Sequence, residues 1–273
     1  MGAVSLYAKP SADFARKLEA SKALLISAAA QFQPLAQASS LGAEDMVVSH
    51  LIAETGIACS IFVLDTGMLH LQTLALVDRL EGRYRVKVDV YQPEPEVARQ
   101  FVAENGLDAM RKSLELRKSC CDFRKMVPLE RALVGKKGWI TGLRREQSNA
   151  RAEVLGIEQQ ELLIKGQSVS RAKVNPLADW TWGDVWHFIA ENNIPFNPLH
   201  DEFFPSIGCA PCTRAVTLGE DFRSGRWWWE QESAKECGLH VIDHTSSASS
   251  GLEPPAFEAN ARLSSIPIKK IPA

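Results

Sequence analysis

No stretch of the 273 residues is apolar for long enough to span a bilayer. The first residues lack the charged-then-apolar pattern of a secretory signal. Both absences point to a cytoplasmic chain with no membrane partner, in a compartment where thiols stay reduced. Its six cysteines are therefore expected as ligands or nucleophiles rather than as structural disulfides. An excess of charge of one sign is missing too. The net charge is −2, which gives no general case for a nucleic-acid partner. There is no internal repeat, and no Gly-Lys-Ser/Thr that would complete a Walker A loop. What remains is ordinary for a soluble globular protein: 45% apolar and 23% charged residues, in a chain long enough for one good core.

The cysteines are few but grouped. Cys209 and Cys212 form a Cys-x-x-Cys pair at the head of GCAPCTRAVTLGEDFRSGRWWWEQESAKECGLH, residues 208–240, which closes on Cys237 and His240. Arg214, Arg223 and Arg226 and three consecutive tryptophans, Trp227 to Trp229, lie between. Thiols, guanidiniums and aromatics at this density suggest an anionic substrate and sulfur chemistry. Far upstream stand Cys120 and Cys121, adjacent in the chain. Two pairs make four thiols, the number that a tetrahedral zinc site or an iron–sulfur cluster needs. Neighbouring side chains diverge, which suits a larger metal core better than one ion. Cys237 is left outside that set and free to react. Cys59 lies inside the apolar run IACSIFVL and reads as a small buried hydrophobe. Residues 111–151 around the adjacent pair hold twelve Lys or Arg against four Asp or Glu, a setting for a small polyanion.

Strand and helix patterns alternate. A helix is expected over 11–33 with Ser11 as its cap, ended by Pro34. A short strand then enters SSLGAED at 39–45, followed by a helix with Val47, Leu51 and Ile52 inward. Strands are expected at 57–64, 84–90 and 138–142, and helices at 69–80, from 94, and over most of 111–134. LDTG at 64–67 sits at a strand's C-terminal end, where open α/β sheets bind ligands. Thr181 and Asp184 read as a capping pair for a helix that turns Trp182, Val185, Trp186 and Ile189 inward, with His187 structural. The fold class is α/β, a mostly parallel twisted sheet with helices on both faces. One domain is expected over 1–240, with a catalytic C-terminal segment at about 225–240. The Ser-, Ala- and Pro-rich residues 241–273 read as a flexible tail.

The pair Cys120–Cys121 followed by Arg124 and Lys125, then GCAPCTR, GEDFRSGRWWWE and ECGLH, resembles the assimilatory adenylylsulfate (APS) reductases. These are the iron–sulfur branch of the phosphosulfate reductase family, and the resemblance runs from about residue 35 to 240. It implies an adenine nucleotide alpha hydrolase-like fold with a modified phosphate loop that places Ser39, Ser40 and Gly42 near the nucleotide. It gives Leu64 and Thr66 to the adenosine pocket, with Gly142 able to let adenine approach the backbone. It makes Lys125, Arg223 and Arg226 the clamps for the phosphosulfate. Arg151 and His240 become further substrate contacts. Cys120, Cys121, Cys209 and Cys212 would hold a [4Fe–4S] cluster. Cys237 would be the nucleophile that forms an S-sulfocysteine, with thioredoxin or a glutaredoxin-like protein as reductant. The oligomeric state stays open, a homo-oligomer included. In the family ECGLH usually ends the chain, whereas here 33 residues follow it.

Three rivals stand beside this reading. A reductase for the 3′-phosphorylated nucleotide (PAPS) typically lacks the four-cysteine set, and one that accepts both nucleotides is its variant. A tRNA-thiolating enzyme of similar fold would want Ser-Gly-Gly-x-Asp-Ser, which SSLGAED is not. A zinc-stabilised nucleotide-binding module would use the four thiols structurally. Within SSLGAED the charged residues are Glu44 and Asp45, with no Lys or Arg, which disfavours a 3′-phosphate. Arg144 and Arg145 follow a strand end and are open to either a polyanion contact or a surface ion pair.

Overall fold

Strand β1 (Leu35–Ser39) is buried along most of its length and has a parallel neighbour on each side. The computed structural model describes residues 2–164, 167–217 and 219–230. In chain order these give α1 (Ala3–Tyr7), α2 (Phe14–Gln31), β1, α3 (Ala43–Thr55), β2 (Cys59–Leu64), α4 (Leu71–Tyr84), β3 (Val88–Tyr91) and α5 (Pro95–Asn105). Then come α6 (Leu114–Cys121), α7 (Val127–Ala132), β4 (Gly138–Ile140), β5 (Ile157–Ile164), β6 (Gln167–Val174) and α8 (Trp182–Glu191). The strand order is β3-β2-β1-β4-β6-β5, and only the β5–β6 pair is antiparallel. Residues 1–241 form one unit, and the expected catalytic residues 231–240 lie outside the described part of it. The second unit, 242–273, the expected tail, also lies outside the described residues. Among the described residues no helix is long and apolar enough to cross a membrane.

The two-residue period of the strands divides the core in two. Leu35, Ile61, Val63 and Ile140 face one layer, built from Leu25 of α2, Met46 and Leu51 of α3, Leu76 of α4 and Trp186 of α8. Ala36, Phe62 and Trp139 face the other layer, against Leu129 and Ala132 of α7. Helices thus cover both faces, as the alternation of patterns predicts. Helix α3 is buried on almost every side, which explains why its apolar residues run together as Met46, Val47 and Val48. Glu44 and Asp45 occupy its first turn, where the helix dipole favours negative charge.

The boundaries differ from expectation in places. Ser11 does not cap α2. Asp13 holds the cap position, and the Ser11 hydroxyl bonds to Asp184 instead. Tyr84, expected in a strand, ends α4, and Arg85 follows with a left-handed backbone. The β5–β6 hairpin was not anticipated. Its polar run EQQE conceals the alternation of an edge strand. The expected helix over 111–134 is interrupted by a π turn at Asp122–Met126, directly after the adjacent cysteines.

Thr181 and Asp184 form a reciprocal capping box at the start of α8. Asp184 does more than cap. Its fully buried carboxylate accepts from the Ser11 amide at 2.7 Å, the Ser11 hydroxyl, the Thr181 amide at 2.9 Å and Lys17 Nζ at 3.1 Å. Burial pushes its pKa up, but the bonds from Thr181, Ser11 and Lys17 outweigh burial and hold it below the ordinary 3.8. The folded value is the lower one, so this stabilisation is present above the unfolded pKa and is lost as pH falls through the folded pKa. Asp184→Ala should cost about 3 kcal/mol, read as a lowered urea midpoint at pH 7. Asp184→Asn should lack part of the wild type's loss of stability below about pH 4.

Candidate active site

The loop from β1 into α3 is held by one carboxylate. Asp45, in the first turn of α3, accepts from the Ser40 amide at 2.7 Å and the Ser40 hydroxyl at 2.5 Å. Across the sheet it accepts from the Gly142 amide at 3.0 Å, just beyond β4. Burial pushes its pKa up to about 6, against the Ser40 bonds that lower it; the neighbouring Glu44 charge raises it further and the Gly142 amide lowers it. Between Ser40 and Gly42, Leu41 is buried with φ +60, a left-handed conformation unusual for a residue with a side chain. A Cβ on Gly142 would come within 2.6 Å of Asp45 Oδ1 and 2.8 Å of Glu44 Cβ. The glycine is thus required by the close approach of α3, and it also borders the cavity.

That cavity lies where the loops after β1, β2 and β4 converge, at the C-terminal edge of the parallel strands. Ser39, Ser40, Gly42, Leu64 and Gly142 line it. So do four cations brought by separate elements: Lys125 from the π turn, Arg151 from a short turn after β4, and Arg223 and Arg226 from the late loop. Arg223, Arg226 and Arg151 are all less than 9% exposed, so their charges act in a poorly hydrated space. A Cβ on Gly208 would meet the Arg226 guanidinium at 2.2 Å, so only glycine there lets Arg226 lie across the chain. Thr66, expected in the adenosine pocket, does not line the cavity; it is fully buried and its hydroxyl lies 3.2 Å from Cys209 Sγ. His240 and Cys237 lie outside the described residues.

Arg144 and Arg145 are both engaged elsewhere. Arg144 is buried, donates to Glu44 at 3.1 Å and to Glu146 at 2.7 Å, and does not line the cavity. Arg145 pairs with Asp179 at the surface and donates to the Val154 carbonyl. The cavity wall also includes Gln147, which donates to Glu44 at 2.9 Å, and Trp139, Phe222 and His200, none of which stood out in the sequence. Gln147 and Phe222 follow runs already marked by charge, but their types alone carried no signal.

The four thiols meet beside this cavity. Cys120, Cys209 and Cys212 are buried in one apolar cluster with Met110 and Trp227, and Cys121 packs against it. None of the four is joined in a disulfide. Burial raises the pKa of Cys120 and pushes that of Cys212 up to about 11, while Lys125 pulls both down. The Arg124 charge lowers the pKa of Cys120, and Arg117 hydrogen-bonds Cys121. Arg117 also forms a two-pronged ion pair with Glu230, at 2.9 and 3.0 Å, and lies over the Trp227 ring at 4.6 Å. The RWWWE segment is thereby fastened to the helix that carries the adjacent cysteines. Among the described residues, no three His, Cys, Asp or Glu side chains converge closely enough to share a single metal ion. Cys59 is remote from this group; burial pushes its thiol up to about 12.

Residues 34–215 match the phosphoadenosine phosphosulfate reductase domain. The adenosine 5′-phosphosulfate reductase of Burkholderia cepacia is 48% identical over 233 residues, covering 85% of this chain and 91% of that one. Among solved structures, the phosphoadenylyl-sulfate reductase of Candida auris in its phosphate complex superposes with a TM-score of 0.58 at 24% identity, over 76% of this chain and 98% of that one. The FMN adenylyltransferase of Candida glabrata gives a TM-score of 0.51 at 13% identity, over 86% and 81%. The last two establish the fold, that of the adenine nucleotide alpha hydrolase-like enzymes. By the domain match and the 48% identity together, the chain belongs to the adenosine 5′-phosphosulfate reductases, enzymes of the phosphoadenosine phosphosulfate reductase family.

Proposed function

We propose that the chain reduces adenylylsulfate to sulfite and AMP. The observation that carries this reading is the position of Lys125. It lines the cavity and at the same time acts electrostatically on Cys120 and Cys212. A polyanion held in the cavity and a charged group held by the thiols would share this one cation.

In the proposed reaction the Cys237 thiolate attacks the substrate sulfur. A sulfur–sulfur bond forms, the sulfur–oxygen bond to the phosphate breaks, and AMP leaves with the electron pair. Lys125, Arg223 and Arg226 neutralise the charge that develops on the leaving phosphate. A dithiol of the thioredoxin or glutaredoxin type then attacks the Cys237 sulfur and expels sulfite. Its second thiol resolves the mixed disulfide, returning Cys237 as a thiol and leaving the reductant as a disulfide. Two electrons pass from the dithiol to sulfur.

Cys120, Cys121, Cys209 and Cys212 fit a [4Fe–4S] cluster by their chemistry: four thiols in no disulfide around one apolar nest, with the buried cations Arg117 and Arg124 acting on Cys121 and Cys120. One zinc ion would need all four sulfurs within about 2.3 Å of a single point, and no such convergence exists among the described residues. When bound, the cluster would supply fixed charge beside the phosphosulfate end of the cavity rather than electrons. Each of the four Cys→Ser substitutions should reduce the protein's iron and sulfide content and bleach its visible absorption; full iron retention in all four would sink the assignment. Cys237→Ser should abolish sulfite release while leaving the visible spectrum and AMP affinity unchanged. Sulfite production by that variant at the wild-type rate would remove Cys237 from its role.

The preference for APS over PAPS follows from the loop after β1. Glu44 and Asp45 both line the cavity, and their donors are Arg144, Gln147, Ser40 and Gly142. A 3′-phosphate placed against them would be a desolvated dianion facing two carboxyls. The specificity constant for APS should exceed that for PAPS by at least tenfold, measured as sulfite release at limiting nucleotide. A value for PAPS equal to that for APS would favour the dual-substrate reading.

A further inference from the structure

One polar atom in the cavity wall has no task in the scheme above. His200 sits in the short turn Pro198–Glu202, lines the cavity and is only 4% exposed. Its Nδ1 lies 2.8 Å from the Phe204 carbonyl oxygen. A carbonyl only accepts, so Nδ1 carries the ring hydrogen and Nε2 is a bare acceptor. Nε2 is buried and has no partner among the described residues. The Trp186 and Trp182 rings stand edge-on to the imidazole at 5.3 and 5.9 Å, but their indole N–H groups are themselves unpartnered and do not supply the hydrogen. Burial lowers the imidazole pKa to about 4, overcoming the opposing pull of Glu44, so the ring is neutral at pH 7. The turn is also fixed in place: Asn197 accepts from the Leu199 amide at 3.1 Å and donates to Thr73 at 2.8 Å.

A buried acceptor without a donor is costly, of order 1–3 kcal/mol, and a native site retains one where a ligand completes it. The partner must bring a hydrogen. Phosphate and sulfate oxygens bring none at neutral pH, so His200 does not serve the phosphosulfate end. Glu44, its electrostatic neighbour, belongs to the loop whose carboxyls are proposed above to face the 3′ position of the ribose. We infer that His200 Nε2 accepts a hydrogen bond from a ribose hydroxyl of the bound nucleotide, making His200 a specificity-determining residue. This rests on the proposed nucleotide reading and deepens it. Where that hydroxyl is the 3′ one, a phosphate in its place would set acceptor against acceptor, a second barrier to PAPS beside the carboxyls of Glu44 and Asp45.

The test is a binding cycle on the full-length protein with AMP, 2′-deoxyAMP and 3′-deoxyAMP, against wild type, His200→Leu and His200→Gln. In the wild type, one of the two deoxynucleotides should bind about fivefold to tenfold more weakly than AMP. That penalty should vanish in His200→Leu and survive in part in His200→Gln, whose amide oxygen can stand near the Nε2 position. Equal weakening of all three nucleotides by His200→Leu, with the deoxy penalty intact, would reduce His200 to a structural role and overturn the inference. So would a wild type indifferent to both deoxy changes, a result that needs no variant to fold. Failure of the wild type to bind AMP would instead bring down the nucleotide reading itself.

Discussion

The Asp45 carboxyl is the knot of the catalytic face. With its two oxygens it holds the Ser40 end of the first loop, the turn of α3 to which it belongs, and the Gly142 amide beyond β4. Strands β1 and β4 are neighbours in the sheet, but their pairing ends at Gln37 and Ile140. Past that point the main chains must splay to make a crevice, and something other than the ladder must fix their separation. A buried carboxyl with amide donors from both sides does this, and it works only because residue 142 has no side chain. The left-handed Leu41 and the internal bonds of Ser39 and Ser40 follow from the same constraint, since the loop must double back to reach Asp45.

On the far side of the cavity the problem is electrostatic. Arg151, Arg223 and Arg226 are held at low exposure beside Lys125, together with the thiols of Cys120 and Cys212, whose pKa burial raises. Neither group is comfortable without the other's charge or a ligand's. The π turn after Cys121 lies where this tension is resolved. A regular helix would set Lys125 one turn from Cys121 on the same face; the wider turn brings its charge to bear on Cys120 and on Cys212 of the late loop. Arg124, in the same turn, is drawn under Gly67 to donate to the Thr66 carbonyl.

Much of this was legible in the residues, and the failures have physical causes. The parallel sheet followed from apolar runs such as SIFVL alternating with helical periods, and the capping pair Thr181–Asp184 from side chains that act within one turn. The four thiols were legible because they stand in two close pairs, Cys120 with Cys121 and Cys209 with Cys212. What the sequence hid was whatever depends on contacts distant in the chain. Ser11 looked like a cap because its hydroxyl can serve one, but the buried Asp184, 173 residues away, competes for it and wins. The family resemblance gives Thr66 to the pocket, whereas in the structure its hydroxyl lies against the Cys209 thiol. Arg144 is indistinguishable in sequence from a substrate clamp until Glu44 is seen beside it. His200 carried no mark at all, since a turn histidine becomes informative only when one ring nitrogen is known to be satisfied and the other is not.

The ion pair between Arg117 and Glu230 sets a length. It fastens the chain at residue 230 to the helix of the adjacent cysteines, and Cys237 follows seven residues later. Seven residues reach at most about 25 Å when fully extended. Under the proposed mechanism, the exchange with the reductant would therefore take place within that distance of residue 230.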